Sequence, residues 1–371
     1  MDIPFFQSGK KKGLSLFDKK TSVLGIDIGS ASIKLIQLRL ERERAILETY
    51  GELAAGPYNK KSVGQGVHLP DTKVSEVIAD LVRETGATTR SVVVGVPLRN
   101  SFVTSVSIPP LSAKDLKMAM QYEARRYIPI PVSEVVIDWW RIPDDVMHDS
   151  GGNVSTAANQ AIDVLLVAVP KDVIEKYRRI VAQAGLDPIA FEIEVFSSIR
   201  SAVRREQGGA LLVDFGAVTT NMTILEKGIV RSSHSFDRGF QTITIGLAES
   251  MGVNFERAEL MKREVGLSSR LEHQGTRKVI APLLDYMLIE LERFATGYTR
   301  KYGGTISKIY ITGGGASMPG LVDHIVKKFG VEVILGNPFG KVEYPAFFQP
   351  VLKEIGPSFS NAVGLALRGL Q

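Results

Sequence analysis

The sequence contains no cysteine among its 371 residues. Disulfide bonds, a cysteine nucleophile and thiolate-bound metals are therefore excluded, and the composition fits a reducing compartment. Histidine is scarce, and the five histidines show no spacing typical of a metal site. Long apolar runs are also missing, because the longest is Val164–Val169, far below the ~20 residues that cross a bilayer. We therefore expect a cytoplasmic protein.

Several well-known motifs are absent as well. The sequence has no G-x-x-x-x-G-K-[ST], no G-x-G-x-x-G after a strand, no G-x-S-x-G and no H-E-x-x-H. A P-loop, a Rossmann dinucleotide site, a serine-hydrolase elbow and a zinc protease are thereby excluded.

Excess positive charge is concentrated at the N-terminus. The formal net charge is +5, and residues 1–20 alone contribute +3 through five lysines and two aspartates. No apolar segment follows the lysines as in a secretory signal, so we expect a flexible basic tail over residues 1–20. The rest of the chain is nearly neutral, which argues against a nucleic-acid-binding face.

Two glycine turns share one pattern, an apolar strand followed by Asp, an apolar residue, Gly and then small polar residues. The first contains Asp27 and Gly29 and the second contains Asp214 and Gly216, about 190 residues later. Glycine allows close backbone approach to a ligand, and the following N–H and hydroxyl groups can surround phosphate oxygens. Each aspartate can hold Mg²⁺ or its waters, and Lys34 can reach a terminal phosphate. A β-hairpin with an Asx turn is the alternative for either copy alone.

A third glycine turn, Gly313–Gly315, follows a predicted strand and precedes a predicted helix. Three consecutive glycines allow the backbone to pack closely against a flat ligand. A flexible connection between strand and helix is the alternative.

In this order and spacing, the three turns resemble the phosphate-1, phosphate-2 and adenosine motifs of the actin-like ATPase superfamily. The resemblance implies an α/β, duplicated ribonuclease H-like fold whose two halves enclose ATP and Mg²⁺. It assigns Asp27 and Asp214 to the metal. The implied nucleotide-binding residues are Gly29, Ser30, Ala31, Ser32, Lys34, Gly216, Ala217, Thr219, Thr220, Glu259, Lys262, Gly313, Gly314 and Gly315.

The segment 89–185 is predicted as a compact α+β unit, and it resembles the small 1C (SHS2-like) subdomain shared by the FtsA and PilM families. The N-terminal region, the stretch Glu123–Pro131 and the absence of residues for an FtsA-type membrane helix after Leu370 favour the PilM family of type IV pilus assembly proteins. The predicted division is a tail (1–20), subdomain 1A (21–88, 186–208), 1C (89–185), 2A (209–250, 305–357), 2B (251–304) and a C-terminal helix returning to 1A (358–371).

Resemblance to PilM implies an ATP-binding scaffold of the pilus inner-membrane platform, with nucleotide as a conformational ligand. Its expected partners are platform proteins and the cytosolic N-terminal peptide of PilN, through which it would reach the membrane indirectly. We place the peptide groove near Tyr127, Ile128, Pro129, Ile130 and Pro131. Homo-oligomerisation is compatible with this reading.

Two other functions stay open at this point. One is an FtsA-like cytoskeletal filament protein, and the other is a sugar-kinase-like phosphotransferase. Phosphoryl transfer needs a base that orients the acceptor, and no dedicated base stands out. Glu192 and Glu194, before the second glycine turn, are candidates to position water for slow ATP hydrolysis, with Glu194 as the candidate catalytic residue; two surface carboxylates are the alternative.

Overall fold

In the computed structural model, the described residues are 22–109, 113–142, 162–204, 206 and 208–371. The predicted basic tail, residues 1–20, lies outside these ranges. Thirteen strands and ten α-helices are present in the described residues.

The strands are β1 (Ser22–Ile28), β2 (Ser32–Glu41), β3 (Arg44–Ala54), β4 (Ser91–Val96), β5 (Phe102–Ile108), β6 (Val135–Arg141), β7 (Ile162–Pro170), β8 (Asp187–Ile193), β9 (Gly209–Phe215), β10 (Thr220–Glu226), β11 (Ile229–Phe236), β12 (Ile306–Thr312) and β13 (Glu332–Leu335). The helices are α1 (Asp71–Thr85), α2 (Ala113–Tyr127), α3 (Lys171–Gln183), α4 (Glu194–Ala202), α5 (Gln241–Met251), α6 (Phe255–Glu264), α7 (Gln274–Tyr302), α8 (Leu321–Phe329), α9 (Gln349–Ile355) and α10 (Ser360–Gly369).

The first half is built on a five-stranded sheet of order β3-β2-β1-β4-β8. β1, β2 and β3 form an antiparallel meander, and β4 and β8 continue the sheet in parallel. Most of β4 is fully buried, as its continuous apolar sequence predicts for a central parallel strand. Helix α10 lies against β1, where a Cβ on Gly25 would come within 2.2 Å of the Ala362 carbonyl oxygen.

The second half repeats this arrangement. β9, β10 and β11 form an antiparallel meander, and β12 and β13 continue it in parallel, so the order β11-β10-β9-β12-β13 matches that of the first sheet. β1, with Asp27 as its second-last residue, and β9, with Asp214 in the same place, are therefore equivalent members of the two repeats. This repeated order confirms the predicted duplicated α/β fold.

An inserted unit, consisting of β5, α2, β6 and β7, extends the second sheet beyond β11. β5 pairs with β11 at Ser232↔Thr104, and the Arg231 guanidinium lies 3.6 Å from the Asp163 carboxylate on β7. The α2 helix packs on this three-stranded layer around a separate small core.

The inserted unit is shorter than the predicted 89–185. β4 belongs to the first sheet, and α3 packs against α1, where the Ser75 hydroxyl donates to the Ile180 carbonyl at 2.9 Å. The sequence pattern missed this boundary because β4 and β5 are separated by only a short turn. Because β4 and β5 are neighbours in the sequence, the prediction placed them in one unit, although they pair in different sheets.

Helix α7 also departs from expectation. The sequence is polar over residues 266–280 and predicts a helix over about Pro282–Tyr302, but α7 begins at Gln274 and continues through Pro282. Thr276 and Ile280 are buried on the same face as Leu284, so tertiary packing stabilises the first turns of the helix despite the proline.

None of the helices in the described part of the chain combines the length and apolar character needed to cross a membrane.

Candidate functional site

The end of β1 carries a charge cluster in which Lys34 is buried, Asp27 is partly buried and Glu52 is exposed. Asp27 lies opposite Lys34 in the β1–β2 pair, and Lys34 lies opposite Glu52 in the β2–β3 pair. The Lys34 ammonium is 2.6 Å from the Ser32 hydroxyl and 3.2 Å from the Glu52 carboxylate. Burial raises the pKa of Asp27, although Lys34 opposes the shift. Burial also acts to raise the pKa of Glu52, but Lys34 and Ser32 outweigh it, and the pKa of Glu52 is lowered.

The end of β9 carries the matching aspartate of the second half. Asp214 lies opposite Asn221 on β10, and its carboxylate accepts a hydrogen bond from the Asn361 amide on α10 at 3.3 Å. Burial and then the negative charge of Asp27 raise the pKa of Asp214 to about 6. The charge of Asp27, in the first half, therefore acts on Asp214 in the second half.

Glu194, the predicted catalytic residue, joins them at the N-terminus of α4. Its carboxyl accepts from the Leu98 N–H at 2.8 Å and from the Asn221 amide at 2.7 Å. Burial and then the charges of Asp214 and Asp27 raise the pKa of Glu194 to about 8. At neutral pH this carboxyl is therefore mostly protonated in the metal-free protein, and a protonated carboxyl cannot accept a proton from water. A cation bound nearby would favour its ionised form.

A cavity of about 10 Å³ lies between Glu194, Asp214 and Asn221. Its volume suits a single water molecule. The Asn221 Oδ1 atom is buried and has no hydrogen-bond partner among the described residues. Such a water would satisfy this oxygen and lie beside both carboxyl groups.

The first phosphate turn is fixed by backbone hydrogen bonds. The Gly29 N–H donates to the Ser32 carbonyl at 3.1 Å, and a Cβ at Gly29 would approach that oxygen within 2.8 Å. The Ser30 carbonyl accepts from the Val67 N–H at 2.9 Å. The Ala31 carbonyl accepts at 2.8 Å from the N–H of Ala55, the residue after β3. The turn is therefore held in one conformation at the end of β1.

The second phosphate turn is tied to the start of α5. The carbonyls of Gly216 and Ala217 each accept at 2.9 Å, from the N–H groups of Phe240 and Gln241. Thr219 is partly exposed at the turn, as its predicted role requires. The side chain of Thr220 does not reach the cleft, because it is fully buried and its hydroxyl donates to the Arg238 carbonyl at 2.8 Å.

The third turn brings glycine close to both the aspartate and an aromatic ring. Gly313 has a φ of +86°, and a Cβ there would lie 2.3 Å from the Asp214 carboxylate. A Cβ on Gly315 would lie 2.4 Å from the Phe240 ring, whereas a Cβ on Gly314 would meet nothing within 4 Å. Gly313 and Gly315 thus permit close packing, and Gly314 leaves open space above the turn.

The predicted nucleoside pair lies on α6, which begins where Asn254 caps the helix by accepting from the Arg257 N–H at 2.9 Å. Lys262 donates to Glu259 at 2.6 Å and to the Thr244 hydroxyl on α5 at 2.9 Å. Burial lowers the pKa of Lys262. Lys262 is therefore directed into the α5–α6 interface in this conformation.

Asp27, Asp214 and Glu194 are partly buried, and the positive charge of Lys34 acts on Asp27 and Asp214. In the part of the chain that the structure describes, no three acidic or histidine side chains converge closely enough to form a metal site. Mg²⁺ typically uses one or two protein carboxylates and completes its shell with water and phosphate oxygens. This donor set therefore fits Mg²⁺ carried by a phosphate ligand.

The predicted partner segment contains both buried and exposed residues. Ile128 is 6% exposed and packs with Met120 and Ala124 in the core of the inserted unit, so its side chain does not face a partner. It lies one turn after Ala124 and continues the apolar face of α2. The exposed members of the segment are Tyr127, Pro129, Ile130 and Pro131.

A charged cluster between the first half and the inserted unit was missed by sequence reasoning. Burial raises the pKa of Asp138 on β6 to about 6, and the positive charge of Arg368 on α10 opposes the shift. Arg368 lies 3.9 Å from Glu192 on β8, and Glu192 accepts two 2.6 Å hydrogen bonds from Arg200. These residues are far apart in sequence, so no spacing pattern indicated the cluster.

Asn221 and Asn361, which contact the candidate catalytic and metal-binding carboxyls, were also missed. Asn361 lies in the predicted C-terminal helix. Its polar side chain on an otherwise apolar helix face is the sequence feature that could have indicated a functional contact.

Comparison with known proteins places the chain in a family. The family model for "Type IV pilus assembly protein PilM" matches residues 25–370. Among curated relatives, the cell division protein FtsA of Neisseria meningitidis serogroup B is 21% identical over 82% of this chain and 76% of the relative.

Solved structures share the fold. The PilM-PilN type IV pilus biogenesis complex is similar, with a TM-score of 0.77 at 24% identity over 95% of this chain and 100% of that chain. The ethanolamine utilization protein EutJ from Carboxydothermus hydrogenoformans has a TM-score of 0.56 at 16% identity, over 94% of this chain and 90% of that chain. These likenesses confirm the actin-like architecture. Because the family model spans nearly all of the sequence, the chain belongs to the PilM family of type IV pilus assembly proteins.

Proposed function

We propose that this protein binds Mg-ATP between its two halves and acts as a nucleotide-responsive scaffold of the type IV pilus assembly platform. The observation that carries the proposal is the equivalent position of Asp27 and Asp214 near the ends of matching strands of the two repeats, where the charge of Asp27 also raises the pKa of Asp214. Two buried carboxylates facing each other are unfavourable unless a cation or a proton offsets the charge.

Each group has a role under this proposal. Asp27 and Asp214 hold Mg²⁺ or its waters, Lys34 neutralises phosphate charge, and the glycine turns surround the phosphates and the nucleoside. Glu194 and Asn221 orient a water next to the phosphates, which supports at most slow hydrolysis. Nucleotide acts as a conformational ligand to the extent that it binds one arrangement of the halves more tightly than another.

Calorimetric titration with ATP, with Mg²⁺ and then with EDTA, tests the nucleotide site. We expect Asp27→Ala and Asp214→Ala each to abolish Mg-ATP binding while circular dichroism shows a folded protein. The matched control is Asp323→Ala, an exposed aspartate on α8, which should bind as the wild type does. Unchanged binding in both site variants would contradict the metal role of the two aspartates.

For the partner, we propose the cytosolic N-terminal peptide of PilN, and through PilN an indirect association with the membrane. A relative solved as a PilM-PilN complex supports this choice. In the described part of the chain, β8 lies at one edge of the first sheet and β6 lies at one edge of the second sheet. The cluster of Asp138, Glu192 and Arg368 lies between them. An exposed sheet edge can accept an extended peptide through backbone hydrogen bonds, and adjacent charges select its sequence.

Fluorescence polarisation of a labelled PilN N-terminal peptide tests this assignment, with and without Mg-ATP and with a scrambled peptide as reference. Ile130→Glu, at the predicted segment, should weaken capture at least tenfold. Val351→Glu, an equally drastic change at an exposed apolar residue of α9, should not. Equal binding of the scrambled peptide, or efficient phosphorylation of a sugar, would overturn the scaffold proposal.

A further inference from the structure

We propose that residues 61–67, here called the strap, close the mouth of the nucleotide cleft and must lift for nucleotide to enter or leave. This inference rests on the proposed nucleotide binding and concerns its regulation. The strap belongs to the connection between β3 and α1 in the first half, yet it contacts the second half at several points.

On the first-half side, the strap is fixed next to the first phosphate turn. The Lys61 N–H donates to the Gly56 carbonyl at 2.9 Å, and the Val67 N–H donates to the Ser30 carbonyl at 2.9 Å. Val67 and the preceding Tyr58 pack against the buried core of the first half. Both ends of the strap are therefore anchored to one half.

On the second-half side, the strap reaches helices α5 and α6. The Ser62 hydroxyl donates to the Glu256 carboxylate at 2.9 Å, and the Gly66 N–H donates to the Gln241 side-chain oxygen. A Cβ at Gly64 would lie 3.4 Å from the Glu259 side chain. The strap thus covers the helix that carries the proposed nucleoside residues.

At its centre the strap touches both phosphate turns. A Cβ at Gly66 would lie 2.5 Å from a methyl group of Val218, in the second turn, and 3.5 Å from the Ser30 hydroxyl in the first. Glycine is therefore required at position 66 for the strap to lie between the turns. Since the strap joins the halves across this space, nucleotide exchange requires its contacts with the second half to break.

These contacts are few and polar, so the strap opens readily. The net contribution of one hydrogen bond corresponds to a factor of about five to ten in an equilibrium. Gln241→Ala removes the acceptor of the Gly66 N–H, and Gly66→Ala forces a methyl group against Val218. Both variants should populate the open strap more often. Val63 is 60% exposed, so Val63→Ala is the matched control within the strap.

The experiment is stopped-flow measurement of the binding and release of a fluorescent ADP analogue in Mg²⁺. In both test variants we expect association and dissociation rate constants to rise together, about five- to tenfold, with little change in affinity. The control should keep wild-type rates. A rise in dissociation alone, with a matching loss of affinity, would show damage to the binding site and would overturn the gating role, as would unchanged rates.

A reversible lock gives a second, independent test. The contact between position 66 and Val218 brings the two Cβ positions within about 4 Å, which suits a disulfide, and the chain has no competing cysteine. In Gly66→Cys/Val218→Cys, oxidation should trap bound nucleotide and reduction should release it. Equal release in both states would refute the strap, whereas failure of the wild type to bind the analogue would refute the proposed function itself and the strap with it.

Discussion

The clearest physical consequence of the site concerns the buried carboxyl of Glu194. Replacing it by glutamine keeps the shape and an oxygen that can accept from Leu98 and Asn221, but it removes the ionisable proton. We therefore expect Glu194→Gln to fold normally and to change how the stability of the metal-free protein depends on pH.

The direction follows from the pKa of Glu194, which is raised from 4.5 to about 8, mainly by burial. The folded state holds this proton more tightly than the unfolded state. The resulting stabilisation is complete below pH 4.5 and is lost as pH rises through 8. Each pH unit within this window costs the wild type about 1.4 kcal/mol relative to a side chain that does not titrate. Between pH 5 and pH 9 the advantage of Glu194→Gln should therefore grow by about 4 kcal/mol.

Urea unfolding followed by circular dichroism, in EDTA and at several pH values from 5 to 9, measures this difference. All other titrating groups are shared by the two proteins, and those that do not interact with Glu194 cancel in the comparison; Asp214 and Asp27, whose charges act on Glu194, titrate together with it. Glu249→Gln, at an exposed carboxylate on α5, is the matched control and should follow the wild type across the range. Parallel curves for the wild type and Glu194→Gln would refute the view that Glu194 is buried in its acid form.

Two further predictions concern stability, and differential scanning fluorimetry followed by urea titration checks both. Gly315→Ala places a methyl group 2.4 Å from the Phe240 ring and should lower the free energy of unfolding by about 2 kcal/mol. Gly314→Ala is the control, because its methyl group would have no atom within 4 Å, and it should leave the free energy of unfolding unchanged. Equal losses in the two variants would contradict the packing assigned to the third turn. Arg231→Met removes the 2.9 Å hydrogen bond to Glu226 and the 3.6 Å contact with the buried Asp163 carboxylate, which keeps its hydrogen bond from Ser107, and should cost about 3 kcal/mol, with part of the loss recovered in Arg231→Lys; a neutral effect in both variants would show that these ion pairs do not stabilise the contact with the inserted unit.

Local pattern was sufficient to predict much of the fold. The two Asp-apolar-Gly turns identified both hairpins, because an apolar strand followed by glycine and small polar residues has few other conformations. The apolar spacing of Val74, Val77, Ile78, Leu81 and Val82 predicts an amphipathic helix ending at Gly86, and α1 does end there, with Gly86 in the left-handed conformation expected for a C-cap. The boundary of the inserted unit could not be predicted in the same way, since it depends on which sheet a strand joins.

The candidate site shows the same division. Asp27, Asp214 and the glycine turns were found because each is part of a contiguous motif. Thr220 was predicted as a site residue because it belongs to the second glycine-turn motif. The alternation of side chains along β10, however, directs its side chain into the core. Asn221 contacts Glu194, which is 27 residues away in the sequence, and Asn361 contacts Asp214, which is 147 residues away. A local sequence pattern cannot predict such contacts.

The position of the inserted unit has a consequence for how nucleotide and partner sites are related. The unit is connected by chain to the first half at both its ends, but β5 pairs with β11 of the second half, and Arg231 joins β11 to Asp163 on β7. Its Asp138, on the opposite edge, faces the charge of Arg368 in the first half. The inserted unit is thus held by both halves at once. Under the proposed function, any change in the relative position of the halves on binding Mg-ATP must be accommodated at one of these two contacts. Both contacts are extensive: Leu165, Val167 and Val169 of β7 lie in the same buried core as Tyr177 and Phe191 of the first half, and the contact with the second half includes a paired strand and a buried ion pair. A shift of the halves on binding Mg-ATP would therefore act on the inserted unit, which carries the segment Tyr127–Pro131 where we place the PilN peptide.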